Sequence, residues 1–289
     1  MSITNFAGLP EKFPGYFVEY FFDKYFDVLI YCEVLYAMMI YYGPKLMENR
    51  KPMNLKWVLA AWNLFLTIFS TMGAISTTST MAFMIRDRGL HKTLCVFDRH
   101  LVYGGEIAFW FFAFLISKFP ETIDTALLIL QKKPVIFLHW FHHLTVMLFC
   151  WVSANEFVPS GLFFSSMNYI VHSGMYFYYF LCSIGLRRFV HPFAPVITSA
   201  QLMQMFVGIA VVFHDFYYTY VSNTDCKLHR GSIRMGMAIY GIYCILFLEL
   251  FIKLYILNDR KYPKRDVRKL VRPQNHENHF KPLNGKKNI

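Results

Sequence analysis

Seven apolar stretches set the limits on what this chain can fold into. They fall at about 25–43, 56–76, 106–131, 135–153, 161–184, 195–220 and 233–257, each long enough or nearly so for a bilayer core that takes roughly 20 residues to cross. Lipid offers the backbone no hydrogen bonds, so each stretch is expected to satisfy its own as a helix. Only 16% of the residues are charged and 56% are hydrophobic, whereas an average soluble domain is about 25% charged. The expected class is an all-α integral membrane protein with seven transmembrane helices. Its membrane domain covers residues 1–257, and a basic, apolar-poor tail over 258–289 is expected to be disordered. The opening residues M-S-I-T-N-F-A-G-L-P-E-K have no basic region, apolar core or small-residue cleavage site, so no cleaved signal is expected there.

Lysine and arginine orient the spans. With an exterior N-terminus, 18 of the 29 fall on the cytosolic side, ten of them from Asn258 onward, and eight on the other. The positive-inside rule then places the N-terminus lumenal and the C-terminus cytosolic. Cys32, Cys150, Cys182 and Cys244 lie within spans, where a thiol acts as a small hydrophobe. Cys95 and Cys226 lie in loops on the non-cytosolic side, and if that side is the oxidising endoplasmic reticulum lumen a disulfide between them is expected. The sequence ends Lys286-Lys287-Asn288-Ile289, a pattern matching the dilysine retrieval signal of endoplasmic reticulum membrane proteins.

Four spans carry polar residues in register. In the third, K-F-P-E-T-I-D-T sets Lys118, Glu121 and Thr125 on one helical face with Asp124 about 60° further round, and Pro120 is a place where the helix can kink. In the fourth, His139, His142 and His143 follow i, i+3, i+4 spacing along one stripe. In the fifth, Asn168, His172, Tyr176 and Tyr179 share an arc, and in the sixth Thr198, Gln201 and Gln204 recur every third residue. Ionisable groups at membrane depth are costly unless they face a protein interior or a wet cavity, so the four stripes imply a buried polar chamber. Individually, several have plainer uses. Thr198, Gln201 and Gln204 suit interhelical hydrogen bonding, Tyr176, Tyr178 and Tyr179 suit an interfacial aromatic belt, and Lys118 with Glu121 suits a structural ion pair.

Three chemistries fit such a chamber. A His-box metalloenzyme that modifies lipid would bind metal through neutral imidazoles, although two irons need more histidines than this one box supplies. A proton-coupled lipid transporter would use the carboxylates as a relay. Acyl transfer would use imidazole itself as nucleophile or base.

The motif residues resemble one family closely. K-F-P-E-T-I-D-T is similar to the K-x-x-E-x-x-D-T motif of the very-long-chain fatty-acid elongases, the ELO condensing enzymes. His139-Trp-Phe-His142-His143 is similar to their H-x-x-H-H box, His172 to Tyr179 to their H-x-x-M-Y-x-Y-Y motif, and Thr198 to Gln204 to their T-x-x-Q-x-x-Q motif. The resemblance implies that spans two to seven form a barrel around an acyl tunnel closed at its lumenal end, with span one peripheral. It implies condensation of a long-chain acyl-CoA with malonyl-CoA to 3-ketoacyl-CoA, carbon dioxide and CoA, with no metal and no cofactor beyond these substrates.

Carried over by position, His142 is the expected acyl acceptor, His139 and His143 orient it, and His172 places malonyl-CoA. Lys118, Glu121, Asp124, Asn168, Tyr176, Gln201 and Gln204 are the expected supporting residues, and Lys132, Lys133, Arg187 and Arg188 the expected contacts for CoA phosphates. Pro134 ahead of H-W-F-H-H looks more like the saturated and monounsaturated branch. The expected partners are membrane lipid and the ketoacyl reductase, dehydratase and enoyl reductase of the elongation cycle, with a homodimer allowed and no nucleic acid.

Overall fold

A computed structural model describes residues 16–98, 102, 105–222, 226 and 228–257, and the described residues are helical apart from short connections. The tail over 258–289, with Lys286 and Lys287, lies outside them. Helices α1 (Tyr16–Lys24), α2 (Phe26–Leu46), α3 (Lys56–Arg88) and α4 (Leu90–Cys95) come first. Next are α5 (Gly105–Ser117), a 3-10 turn at Pro120–Thr122 and α6 (Ile123–Leu130). They are followed by α7 (Phe137–Asn155), α8 (Gly161–Ser183), α9 (Arg187–Val190), α10 (Ala194–Tyr220) and α11 (Arg230–Phe251), the last continued by a π turn at Ile252–Ile256.

Among the described residues, four helical stretches are long and apolar enough to cross a membrane: Phe26–Leu46, Lys56–Arg88, Arg187–Tyr220 and Arg230–Ile256. The other three expected spans are those that carry most of the motif polar groups. The third expected span is not one helix. It stops at Ser117 and restarts at Ile123, because Pro120 cannot donate to the preceding turn. The fourth and fifth are continuous as α7 and α8, with their hydropathy lowered by His139, His142 and His143 in one and Asn168 and His172 in the other.

The second expected span runs 12 residues beyond its predicted end, to Arg88. Its S-T-T-S-T run reads as a polar boundary in sequence, yet the hydroxyls bond back to their own helix. Thr77 Oγ1 donates to Gly73 O at 2.7 Å and Thr80 Oγ1 to Ser76 O at 3.1 Å, which makes a Ser/Thr run compatible with a helix interior.

Helices α3 and α8 make the most extensive pairing, and the contacts continue from α8 to α10, α10 to α11, α11 to α7, α7 to α5 and α5 back to α3. Helix α2 packs on the outside of this succession, against α6 and α7, with only Leu29 and Tyr36 buried along its length. Helix α1, which has no counterpart among the seven apolar stretches, lies against α7. Val18 and Phe22 face inward from it, and Trp151 Nε1 donates to Phe22 O at 2.9 Å. Large apolar side chains such as Trp57, Phe189 and Ile245 point away from the protein, as lipid-facing residues do.

Close helix pairs depend on small residues. A Cβ at Gly208 of α10 would lie 2.2 Å from Tyr240 Cε1 of α11, and one at Gly73 of α3 would lie 2.5 Å from Tyr169 Cζ of α8. Both aromatic rings are buried and held by neighbours, so neither yields cheaply. Gly208→Ala is expected to destabilise the protein by about 1–3 kcal/mol. Thermal unfolding of the detergent-solubilised variant should show a lowered midpoint, and an unchanged midpoint would mean that α10 and α11 are not packed this tightly.

Two turns aim the motif residues. Helix α6 ends with Lys132 in left-handed backbone (φ 54°), Lys132 N bonding Ile129 O and Lys133 N bonding Leu128 O. This is the Schellman pattern, followed by the proline that prevents continuation. Helix α7 then starts at Phe137 and brings the three histidines in opposite α6. It ends the same way, with Phe157 at φ 50° ahead of Pro159.

Candidate active site

The polar residues of the third stretch fall into two neighbourhoods. Lys118 Nζ donates to Glu121 Oε1 at 2.6 Å and to Asn168 Oδ1 at 3.1 Å, and Ser117 Oγ donates to the same Glu121 oxygen at 2.8 Å. Asn168 Nδ2 and His172 Nε2 are 3.1 Å apart. An ion pair, an amide and an imidazole thus form one buried chain across α5 and α8, with Lys118 and Glu121 each only 2% exposed.

Asp124 and Thr125 belong to a second neighbourhood. Asp124 accepts from Trp62 Nε1 at 2.6 Å and from Tyr176 OH at 2.8 Å, fastening α6 to α3 and α8. Thr125 Oγ1 lies 2.9 Å from His139 Nε2 and 2.9 Å from Tyr36 OH, a relay from α2 to α7. Lys118, Glu121 and Thr125 are all buried, and within the stretch Asp124 and Thr125 find partners other than those of Lys118 and Glu121.

The three box histidines pack ring on ring, His142 edge to face with His143 and His139 tilted against it. Ring centroids are 4.6 Å apart for His139 and His143 and 5.4 Å for His142 and His143, with Tyr36 at 6.5 Å from His143. Among the described residues, neither ring nitrogen of His142 has a hydrogen-bond partner, whereas His139 and His172 have each committed Nε2. The His142 ring lies 5.0 Å from that of Tyr243, whose hydroxyl donates to the His142 carbonyl at 3.2 Å and pairs with Thr145 at 2.5 Å.

His142 lines a cavity that encloses about 620 Å³ of space out to its mouth, together with Asn168, Gln204, Cys150, Tyr240 and Tyr243 and a largely apolar remainder. Its lining has the character of a site for an apolar ligand with a few polar groups at fixed points. Of the sixth-stretch residues, Gln204 is buried and reaches this cavity. Gln201 instead donates to Met175 Sδ at 3.1 Å, and Thr198 pairs with Tyr255 OH at 3.1 Å. Tyr176 is buried on Asp124, while Tyr179 is 45% exposed. Lys132, Lys133, Arg187 and Arg188 are exposed on the turns that follow α6 and α8, and Lys132 Nζ donates to Glu48 O at 2.8 Å.

Sequence reading misses Tyr36, Trp62 and Tyr243, because an aromatic residue in an apolar run carries no periodic signal and its partner lies on another helix. Outside the chamber, the structure joins Cys95 to Cys226 as a disulfide between α4 and the segment before α11.

Comparison with known proteins gives the same family as the motif residues. The sequence model of the ELO: GNS1/SUR4 family matches residues 21–263. A "Very long chain fatty acid elongase 4" of Trypanosoma cruzi (strain CL Brener) is 48% identical over 249 residues, covering 86% of this chain and 87% of that protein. "Fatty acid elongase 3" of Trypanosoma brucei brucei (strain 927/4 GUTat10.1) is 40% identical, covering 88% and 93%. "Very long chain fatty acid elongase 6" of Mus musculus is 37% identical, covering 80% and 86%.

Proposed function

Since the chain belongs to the ELO (GNS1/SUR4) family of fatty acid elongases, we propose that it condenses a long-chain acyl-CoA with malonyl-CoA in the endoplasmic reticulum membrane, through an acyl group carried on His142. The observation that supports this most is the position of His142: it borders the apolar cavity and keeps both ring nitrogens unengaged among the described residues.

In the first half-reaction a His142 nitrogen attacks the thioester carbonyl and the carbon–sulfur bond breaks. The imidazole proton goes to the leaving thiolate, giving free CoA and a neutral acyl-imidazole. His143 holds the ring by edge-to-face contact, and His139, itself held by Thr125, packs against His143. In the second, malonyl-CoA loses carbon dioxide, and the enolate carbon attacks the acyl carbonyl and displaces the imidazole, which takes up a proton. Asn168 and Gln204, which line the cavity, stabilise the enolate oxygen with His172 behind Asn168, and preorganised donors of this kind lower such barriers. The Lys118–Glu121 pair fixes the Asn168 amide through its oxygen, leaving the NH₂ group for His172 or substrate.

The succession α3, α8, α10, α11, α7, α5 serves as the tunnel wall, with α2 outside it. The exposed Lys132, Lys133, Arg187 and Arg188 bind the CoA phosphates at the cytosolic mouth. Lys286 and Lys287 return the protein to the endoplasmic reticulum, where a reductase, a dehydratase and an enoyl reductase consume the 3-ketoacyl product. The acyl substrates are saturated or monounsaturated.

Purified protein supplied with a long-chain acyl-CoA and malonyl-CoA labelled at its free carboxyl should release labelled carbon dioxide and 3-ketoacyl-CoA in equal amounts. Loss of activity to a chelator with recovery on adding metal would favour a metalloenzyme. Substrate movement across vesicles with its thioester intact would favour a transporter.

A further inference from the structure

At the end of the bundle that holds the disulfide, a group of donors remains that the condensation does not use. His91 Nδ1 lies 3.2 Å from His214 Nε2 and 3.8 Å from Cys95 Sγ, and the ligand atoms of His91, Cys95 and His214 all fall within 4.8 Å of one another. The tetrahedron around a zinc ion has edges of about 3.3 Å between nitrogens and about 3.6 Å between nitrogen and sulfur. The two spacings from His91 are close to those edges, and the third, between His214 and Cys95, lies within 4.8 Å.

The surroundings match a metal site as well. His214 Nδ1 is 3.2 Å from Asp215 Oδ1, and the other oxygen of Asp215 accepts from Ser160 Oγ at 2.9 Å. A carboxylate on one ring nitrogen fixes the tautomer that leaves the other free to ligate, the usual second layer of a metal-bound histidine. Asp215 and Ser160 are buried, and the rings of His91 and His214 are each packed on Tyr218. Cys226 lies outside this group of three, but the disulfide holds its Cα 4.5 Å from that of Cys95, so its sulfur, once released, is within reach of the same centre.

We propose that reduction of the Cys95–Cys226 disulfide converts this cluster into a tetrahedral zinc site made of Cys95, Cys226, His91 and His214. A dithiol reductant gives two electrons and two protons to the disulfide, becoming a disulfide itself and leaving two cysteine thiols. Zn²⁺ then displaces one proton from each thiol, and the shared proton between the two imidazoles moves to Nε2 of His91, so the zinc centre is neutral. Because Cys95 ends α4 and Cys226 precedes α11, the metal holds together the same two segments as the covalent bond. The device keeps the two segments joined in either redox state.

The test uses full-length protein in detergent, oxidised or reduced with a phosphine, titrated with Zn²⁺ against a chromogenic chelator. Reduced protein is expected to bind one zinc more per chain than oxidised protein, with release of two protons, and the double variant His91→Gln/His214→Gln to lose that increment. Equal binding by oxidised and reduced protein, or a full increment in the double variant, overturns the proposal. Should the double variant fail to fold, alkylation mapping of the reduced wild type decides: zinc is expected to protect Cys95 and Cys226, and free alkylation of both in its presence overturns the site.

Discussion

Lys118→Met should destabilise the protein by about 3–5 kcal/mol, because it leaves the Glu121 carboxylate buried without its cation. The pair is 2.6 Å apart and nearly sealed from solvent, and Lys118 also donates to Asn168, so one substitution leaves the Glu121 charge with only Ser117 and takes the donor from the Asn168 oxygen. Thermal unfolding in detergent measures the loss. The double variant Lys118→Met/Glu121→Gln removes the uncompensated charge and keeps an acceptor for Ser117, so it should recover much of the midpoint. If Lys118→Met unfolds at the wild-type temperature, Lys118 does not fasten the end of α5 to α8. If the double variant is as unstable as the single one, the charge is not the cause.

His142→Ala should lower the rate of condensation by about 10³-fold or more, equivalent to at least about 4 kcal/mol of barrier. Its unfolding midpoint should stay near that of the wild type. The ring packs edge to face on His143 and tilted on Tyr243 but, among the described residues, anchors no hydrogen bond, so its removal leaves the Lys118, Asn168 and His172 chain and the Thr125 relay in place. Substrate should still bind, because the cavity is otherwise built from Tyr240, Gln204, Asn168 and apolar side chains. A variant that retains a tenth or more of wild-type turnover would remove His142 from the chemistry. His172→Ala, by contrast, should slow the second half-reaction more than the first, since His172 lies on the Asn168 side of the chamber.

The chamber is legible in the sequence wherever a single unbroken helix carries it. The spacing of His139, His142 and His143 survives into the structure because α7 is continuous from Phe137 to Asn155, and Asn168, His172 and Tyr176 hold together on α8 for the same reason. Periodicity does not report that Asp124 and Thr125 find partners apart from those of Lys118 and Glu121. It also fails for Gln201. Spacing of three places Gln201 with Gln204, but a step of three residues turns a helix through 300°, so successive members drift around the axis and only Gln204 reaches the cavity. The length of α3 is hidden because a Ser/Thr run looks like a boundary until its hydroxyls are seen bonding to their own backbone. The tertiary partners Tyr36 and Trp62 lie 89 and 62 residues from the groups they hold, and no local pattern reports such a pairing.

Whether His142 carries the acyl group is decided by giving purified protein a long-chain acyl-CoA with no malonyl-CoA. The account expects a burst of free CoA of up to one equivalent per active site, an acyl adduct mapping to His142, and discharge of that adduct as 3-ketoacyl-CoA when malonyl-CoA is added. Release of CoA only when both substrates are present, with no adduct on any histidine, would contradict it and make His142 a general base in a ternary complex.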